Sequence, residues 1–320
     1  MADEKVRKLA EEALNRLSAD LEAGKSESLK NYLGAMSRFH RYSFGNILLI
    51  SSQRPTATQV AGFHTWHNLD RSVKKGEKGI MIFAPVLLKD RDHPTLSPQH
   101  PSKSEEIFRL AGFRTAYVFD ISQTEGKPLP EFAKTTGDVK EYGEKLKAIV
   151  AGRGITVEYD AGIAPAQGAS SGGHIRLMPG MAPAEEFSVL AHELAHEMLH
   201  HRIVTAMPPK LVRETQAEAV AFVVCRGVGF ETNTAAADYI ALYNGDKKTL
   251  AESLSVIQET SAKILDGLLP EPNRSTQQRS PESPTSAAER DASIRTEPSI
   301  SAERDNPAMT QEQPNTSWDR

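Results

Sequence analysis

The chain has 320 residues, 25% charged and 39% hydrophobic, the proportions of an ordinary soluble protein with room for one large or two medium domains. A net charge of −4 excludes a globally basic nucleic-acid protein, and a single cysteine, Cys225, excludes a disulfide framework or a four-cysteine zinc ribbon. Apolar runs such as Ile47-Leu48-Leu49-Ile50 are far too short to span a bilayer, and the N-terminus is a charged helix pattern without a secretory apolar stretch, so a reducing cytoplasm and no membrane partner are expected.

Val6, Leu9, Ala13 and Leu17 recur at helical spacing, and Leu29, Tyr32, Leu33 and Met36 begin a second helix. SFGNILLISSQRP predicts a short buried helix stopped before Pro55. GFHTWHNL is helical, SVKKGEKG is a basic turn, and IMIFAPVLL and FRTAYVFDIS are strands with a polar, proline-bearing surface loop between them. VKEYGEKLKAIVAGRG is a helix closed by Gly152 and Gly154. ITVEYD and HIRLMP, joined by QGASSGG, are expected to form a hairpin, which makes His174 an edge-strand surface residue. Residues 183–202 form a long helix with Pro183 near its first turn and Glu185 and Glu186 where the helix dipole favours anions. Another runs from about Pro209 to Arg226, and TAAADYIALYN and LAESLSVIQETSAKILDGLL complete the set. From residue 270 the chain is rich in Ser, Pro, Glu, Arg and Gln and lacks Leu, Val and Phe, so 270–320 is expected to be a disordered tail.

The chemistry is concentrated in His192-Glu193-Leu194-Ala195-His196. On a helix the two histidines lie one above the other and can ligate one metal ion, while Glu193 is placed as the base that takes a proton from water. His200 continues the series but sits about 12 Å of helix rise from His192, too far to share a tetrahedral ion, so His200 and His201 read as helix-end residues. A better third ligand lies in Arg213-Glu214-Thr215-Gln216-Ala217-Glu218, where Glu214 and Glu218 share a helical face. Like charges so placed call for nearby positive charge; a metal at Glu214 supplies it, and Glu218 then accepts an N–H from a ligating histidine. A solvated acidic face is the alternative. Cys225 falls on the same helical face as Glu218 and Ala221 and reads as a buried inert thiol.

Between Met36 and Arg91 the basic residues outnumber the acidic ones nine to three, in a chain that is acidic overall. Arg38, Arg41, Arg54, Arg71, Lys74, Lys75 and Lys78 are interleaved with Phe39, Tyr42, Phe44, Phe63 and Trp66. Cations that track phosphates beside aromatic faces for unstacked bases describe single-stranded DNA binding, with Trp66 the aromatic candidate. Core packing is the competing role for the aromatics.

The pattern H-E-x-x-H followed by E-x-x-A-[DEN] resembles the gluzincin metallopeptidases, which implies that Glu214 is the third ligand and Glu218 supports a ligand. More widely, SFGNILLISSQRPTATQVAGFHTWHNLDRSVKKGEKGIMIFAP is similar to the N-terminal single-stranded DNA-binding domain of ArdC-type antirestriction proteins. SSGGHIRLMP, SVLAHELAHEMLHH, RETQAEAVAFVV and DYIALYNGDKKTL are similar to their metallopeptidase domain. The resemblance covers about residues 5–265. His67-Asn68-Leu69-Asp70 departs from it, because a glycine-bearing turn is expected there.

The resemblance implies an α+β chain: a helix-rich DNA-binding domain with a small antiparallel sheet over 1–130, a zincin-like domain over 131–269, then the tail. It implies one divalent ion, zinc with manganese as the alternative, single-stranded DNA and a protein substrate as partners, and protection of a mobile element's incoming DNA from restriction. Two other functions fit the same residues: a regulatory metalloprotease that cleaves a repressor, and a non-catalytic protein that coats single strands around a structural metal.

Overall fold

The computed structural model describes residues 2–89, 108–129, 139–201, 207–230 and 246–270. In chain order these form α1 (Ala2–Glu22), α2 (Ser26–Arg38), α3 (Phe44–Gln53), β1 (Val60–Gly62), α4 (Phe63–Asn68), β2 (Arg71–Val73), β3 (Ile80–Lys89), β4 (Phe108–Asp120) and β5 (Thr124–Gly126). Then come α5 (Val139–Ala151), β6 (Thr156–Tyr159), β7 (Gly168–Ser170), β8 (His174–Leu177), α6 (Pro183–Leu199), α7 (Lys210–Gly227) and α8 (Lys247–Leu268). Helices and small sheets alternate, which is the expected α+β class. The tail after Pro270, the loop between the two long strands and the helix expected over TAAADYIALYN lie outside the described residues. Among the described residues no helix is long and apolar enough to cross a membrane.

In the first half, α1 and α3 pack on an antiparallel sheet ordered β1-β4-β3, and α2 packs on these two helices. The covered face follows the strand period: Ile80, Ile82 and Ala84 on β3 and Ala116 and Val118 on β4 are buried. Ser43 caps α3 by accepting from the Asn46 N–H.

One edge of this sheet is closed by side chains. Asn46 donates through Nδ2 to Phe83 O at 2.8 Å and accepts from Phe83 N at 2.9 Å. Two turns along α3, Gln53 donates to Met81 O at 2.8 Å and accepts from Met81 N at 2.9 Å. Each primary amide copies the donor–acceptor pair of a neighbouring strand, so two residues of α3 satisfy backbone groups of β3 that an edge strand leaves open.

The turn that departs from the glycine pattern is built without glycine. Asp70 takes φ of +57°, a left-handed conformation that aspartate tolerates better than most side chains. It leads into β2, which pairs with β5 in a second small sheet.

The expected hairpin of ITVEYD and HIRLMP does not form. β6 runs parallel to β8, and the antiparallel partner of β8 is β7, which lies inside the glycine-rich stretch read as a turn. β8 is therefore the central strand, and His174 is not on an edge. Short, small side chains conceal β7 in the sequence, because Gly168-Ala169-Ser170 has no strand alternation to read.

α5, α6, α7 and α8 pack around Phe187, Leu190, Leu194, Val220, Val223, Leu254, Ile257 and Ile264, all at most 1% exposed. Elements on both sides of the division expected near residue 130 are joined in one unit, Met1–Pro281. α2 packs on α7, Gln258 of α8 donates to His40 O at 2.8 Å, and Arg41 bonds Asp266 at 3.0 Å.

The amide clamps give a stability test. Asn46→Leu or Gln53→Leu keeps the bulk but removes both partners of a β3 residue, and each is expected to cost about 1–3 kcal/mol. A urea midpoint equal to the parent's in both variants would show that the clamps contribute nothing.

Candidate metal centre and nucleic-acid face

His192 and His196 stack on one face of α6 with their Nε2 atoms 3.0 Å apart. Glu214 on α7 places Oε2 3.6 Å from His192 Nε2 and 3.3 Å from His196 Nε2. One donor atom from each of the three residues lies within 4.8 Å of the others, the one such cluster among the described residues. Glu218, one turn further along α7, puts Oε2 3.4 Å from His192 Nδ1. The histidines are mostly buried and Glu214 is 46% exposed, so the cluster opens to solvent on the carboxylate side.

The hydrogen-bond partners assign the ring protons. Ionised Glu218 only accepts, so His192 carries its proton on Nδ1 and presents a lone pair at Nε2. For His196 the assignment runs through a relay. Gln216 donates from Nε2 to Ser253 Oγ at 3.1 Å, which leaves its Oε1 facing His200 Nε2 at 3.1 Å. His200 Nε2 is then the donor, and its Nδ1 accepts the Nδ1 proton of His196 across 3.0 Å. His196 Nε2 is left with a lone pair as well. Two lone pairs and a carboxylate oxygen thus converge with no proton between them, a repulsive arrangement unless they share a cation. Two imidazoles and one carboxylate are a donor set of open, three-ligand zinc sites.

His200 is not the ordinary helix-end residue expected. It caps α6 but is 3% exposed, and its ring is the link between His196 and α7. The 12 Å rise that removes it as a direct ligand leaves it free to hold the middle histidine, since contact with His196 needs only one turn.

The electrostatics set the two histidines apart, and without an ion between them the carboxylates favour a second proton on His192. Burial acts to lower the His192 imidazole, but the Glu218 hydrogen bond and the carboxylates of Glu193, Glu218 and Glu214 outweigh it and hold its pKa above the ordinary value. His196 is pulled down to about 4, first by burial and then by the charge of His192. Burial also lowers His200. Glu193 is 7% exposed, and burial raises its carboxyl above the usual range against the charge of His192 and a hydrogen bond from Ser170. Its other wall is Gly168 of β7. A Cβ at Gly168 would fall 2.6 Å from Val189 Cγ1 and 2.7 Å from Glu193 Oε1, so only glycine lets the strand lie on this carboxylate.

Glu197, which the sequence did not single out, fastens the same strand pair. It is 4% exposed and accepts from Gly172 N at 2.8 Å and Gly173 N at 2.7 Å. Both glycines have positive φ, +70° and +94°, which points successive N–H groups at one carboxylate. Cys225 is fully buried, and burial pushes its thiol up to about 12, so it is the inert residue expected.

The basic residues divide into two places. Arg54 bonds Ser122 Oγ at 3.0 Å, Lys74 bonds Ser122 O at 3.0 Å, and Arg71 bonds Thr124 Oγ1 at 2.8 Å, so these three gather around residues 122–127. Lys75 and Lys78 are exposed on the adjoining turn. Arg38 instead bonds Ala57 O at 3.1 Å, and Arg41 reaches α8 through Asp266. Trp66 is in the core: it is 2% exposed and its Nε1 donates to Phe119 O at 2.9 Å, which leaves its faces no room for a base. Among the described residues of the first half the exposed aromatics include Phe63 at 54%, Phe113 at 57% and Tyr117 at 51%, and two of these were not singled out by the sequence.

Residues 7–119 match the family model of the N-terminal domain of anti-restriction factor ArdC. The N-terminal part of the chain is thus similar to the N-terminal domain of ArdC. The matched segment contains all eight residues expected to meet DNA, and the α6–α7 cluster lies outside it. An uncharacterized protein of Bacillus anthracis is 26% identical over 306 residues, covering 82% of this chain and 52% of that protein. The chain thus spans about half the length of that curated relative. Crystal structures of the antirestriction protein ArdC from plasmid R388, one metal-free and one Mn(II)-bound, each align with a TM-score of 0.48 and 17% identity. Each alignment covers 80% of this chain and 96% of the ArdC chain.

The relay predicts a measurable effect on metal binding. His200→Phe or Gln216→Leu removes the acceptor that fixes His196, and either is expected to weaken divalent-metal affinity about 10- to 100-fold while the fold persists. Gln216→Glu keeps an oxygen toward His200 and should lie closer to the parent. Titration calorimetry with zinc showing unchanged affinity in His200→Phe would remove the relay from the site.

Proposed function

We propose that this chain is an antirestriction protein that binds single-stranded DNA through its ArdC-type N-terminal domain and carries a metal-dependent peptidase-like site between α6 and α7. The observation that carries the second part is the convergence of His192 Nε2, His196 Nε2 and a Glu214 carboxylate oxygen beside a buried carboxylate, Glu193. In this reading His192, His196 and Glu214 hold one divalent ion, zinc or manganese, and Glu218 orients His192. The ion, when bound, supplies Lewis acidity toward a peptide carbonyl. Glu193 takes the proton of the attacking water on a carboxylate oxygen and passes it to the leaving amine; its burial strengthens it as a base. Gly168 and Ser170 keep water off its inner side.

A purely structural metal calls for a closed site with four protein ligands. Among the described residues the cluster has three, and its carboxylate is half exposed, which supports chemistry over scaffolding. The DNA reading rests on the family match and on the cations collected around residues 122–127.

Glu193→Gln tests the enzyme reading. It keeps the shape of the side chain and leaves the ligands untouched, so metal content and single-strand binding are expected to equal the parent's. Protection of transferred DNA, measured by conjugation or transformation into a restricting host, should fall to that of a control without the protein. Full protection by Glu193→Gln would reduce the centre to a metal-stabilised scaffold on a DNA-coating protein.

A further inference from the structure

We infer that the outward face of β4, with Phe113 and Tyr117, together with Phe63 and the lysines of the β2–β3 turn, is the surface on which an unpaired nucleic-acid strand stacks its bases. The inference rests on the proposed single-strand binding and deepens it by placing the contact.

Burial alternates along β4. Ala116, Val118 and Asp120 face inward and are buried, whereas Phe113 and Tyr117 are each more than half exposed. The register of β1 on β4 ends at Gly62 opposite Val118, so Phe63 leaves the sheet one step beyond that pair, where β4 continues into Tyr117. Three exposed aromatic rings in one region are unusual for a face with nothing to bind, and rings offer π faces that every base can use.

Charge chooses the occupant. Gly79 ends the lysine-bearing turn directly against these rings: a Cβ there would lie 3.0 Å from Tyr117 Cβ, 3.1 Å from Tyr117 Cδ1 and 3.2 Å from Phe119 Cζ. The turn therefore closes onto the aromatic face and brings Lys75 and Lys78, both exposed, to its end. Arg54 and Lys74 reach the same end through Ser122. Three of the acids nearby are engaged, while Glu125 on β5 is exposed. Glu77 faces Arg54 and accepts from Gln123, Asp120 accepts the N–H groups of Thr58, Gln59 and Ser122, and Asp3 is turned onto the N–H and hydroxyl of Thr115. Aromatic faces bordered by available cations are complementary to bases bordered by phosphates. Trp66, buried beneath, holds the strand by its bond to Phe119 O and supplies no face of its own.

The test uses the full chain and a fluorescent oligothymidylate. Tyr117→Ala and Phe113→Ala are each expected to lower affinity about 5- to 150-fold, the range of one lost stacking contact. Tyr117→Phe should bind like the parent, and thermal unfolding of all three should match it because both rings are exposed. An oligonucleotide carrying bromodeoxyuridine should cross-link on irradiation to the peptide containing Phe113 or Tyr117. If the parent itself does not bind the oligonucleotide, the single-strand reading fails and this surface with it. If the parent binds but both alanine variants bind equally well, the reading stands and the β4 surface is wrong. The surface is equally overturned if the variants bind DNA normally but lose a self-association seen for the parent by sedimentation, since the face would then join two copies of the chain.

Discussion

The packing of α6 against α7 is the contact on which the site depends. His192 and His196 belong to one helix and Glu214 and Glu218 to the other, and neither pair makes a donor set alone. Buried alanines recur at i, i+4 on both helices, Ala191 and Ala195 on α6 and Ala217 and Ala221 on α7, which keeps side-chain bulk in the helix pair low. Buried charge there is tolerable because each group has a partner. Removing the partner of a buried charge costs far more than the pair itself contributes.

Around that contact the protein satisfies buried polar groups in series. Ser253 fixes the Gln216 amide, Gln216 fixes the His200 tautomer, and His200 fixes His196. On the other side Glu197 collects two glycine N–H groups and thereby sets β7 against Glu193. A reactive cluster thus rests on groups contributed by α8, α7 and the β7–β8 turn.

The first half uses the same economy for a different end. Asn46 and Gln53 complete the edge of β3, Arg71 ties β2 to β5, and Asp120 gathers the backbone leading into β1. Several cations that the sequence assigns to DNA also serve as ties in the fold. Arg71 spends its guanidinium on Thr124 and Lys127, whereas Lys75 and Lys78 project from the turn. The distinction between a structural cation and an available one exists only once strand pairing is known.

Local pattern determined much of this protein. The 3.6-residue period located the later helices to within about three residues, and the spacing of His192 and His196 fixed their shared face, because helix geometry alone converts four residues into one turn. The spacing of Glu214 and Glu218 likewise made them a pair, which the fold then set against the histidines. What tertiary structure decided was everything that depends on which element lies beside which. β7 has no strand pattern, so the parallel pairing of β6 with β8 was invisible. His200 read as an ordinary helix-end residue because its partner Gln216 comes from another helix. Trp66 and Tyr117 are both aromatic residues in apolar surroundings of sequence, yet one is buried and the other exposed. Sequence records which residue types are near one another along the chain; only the packed sheet decides which face of a strand meets the core and which meets water.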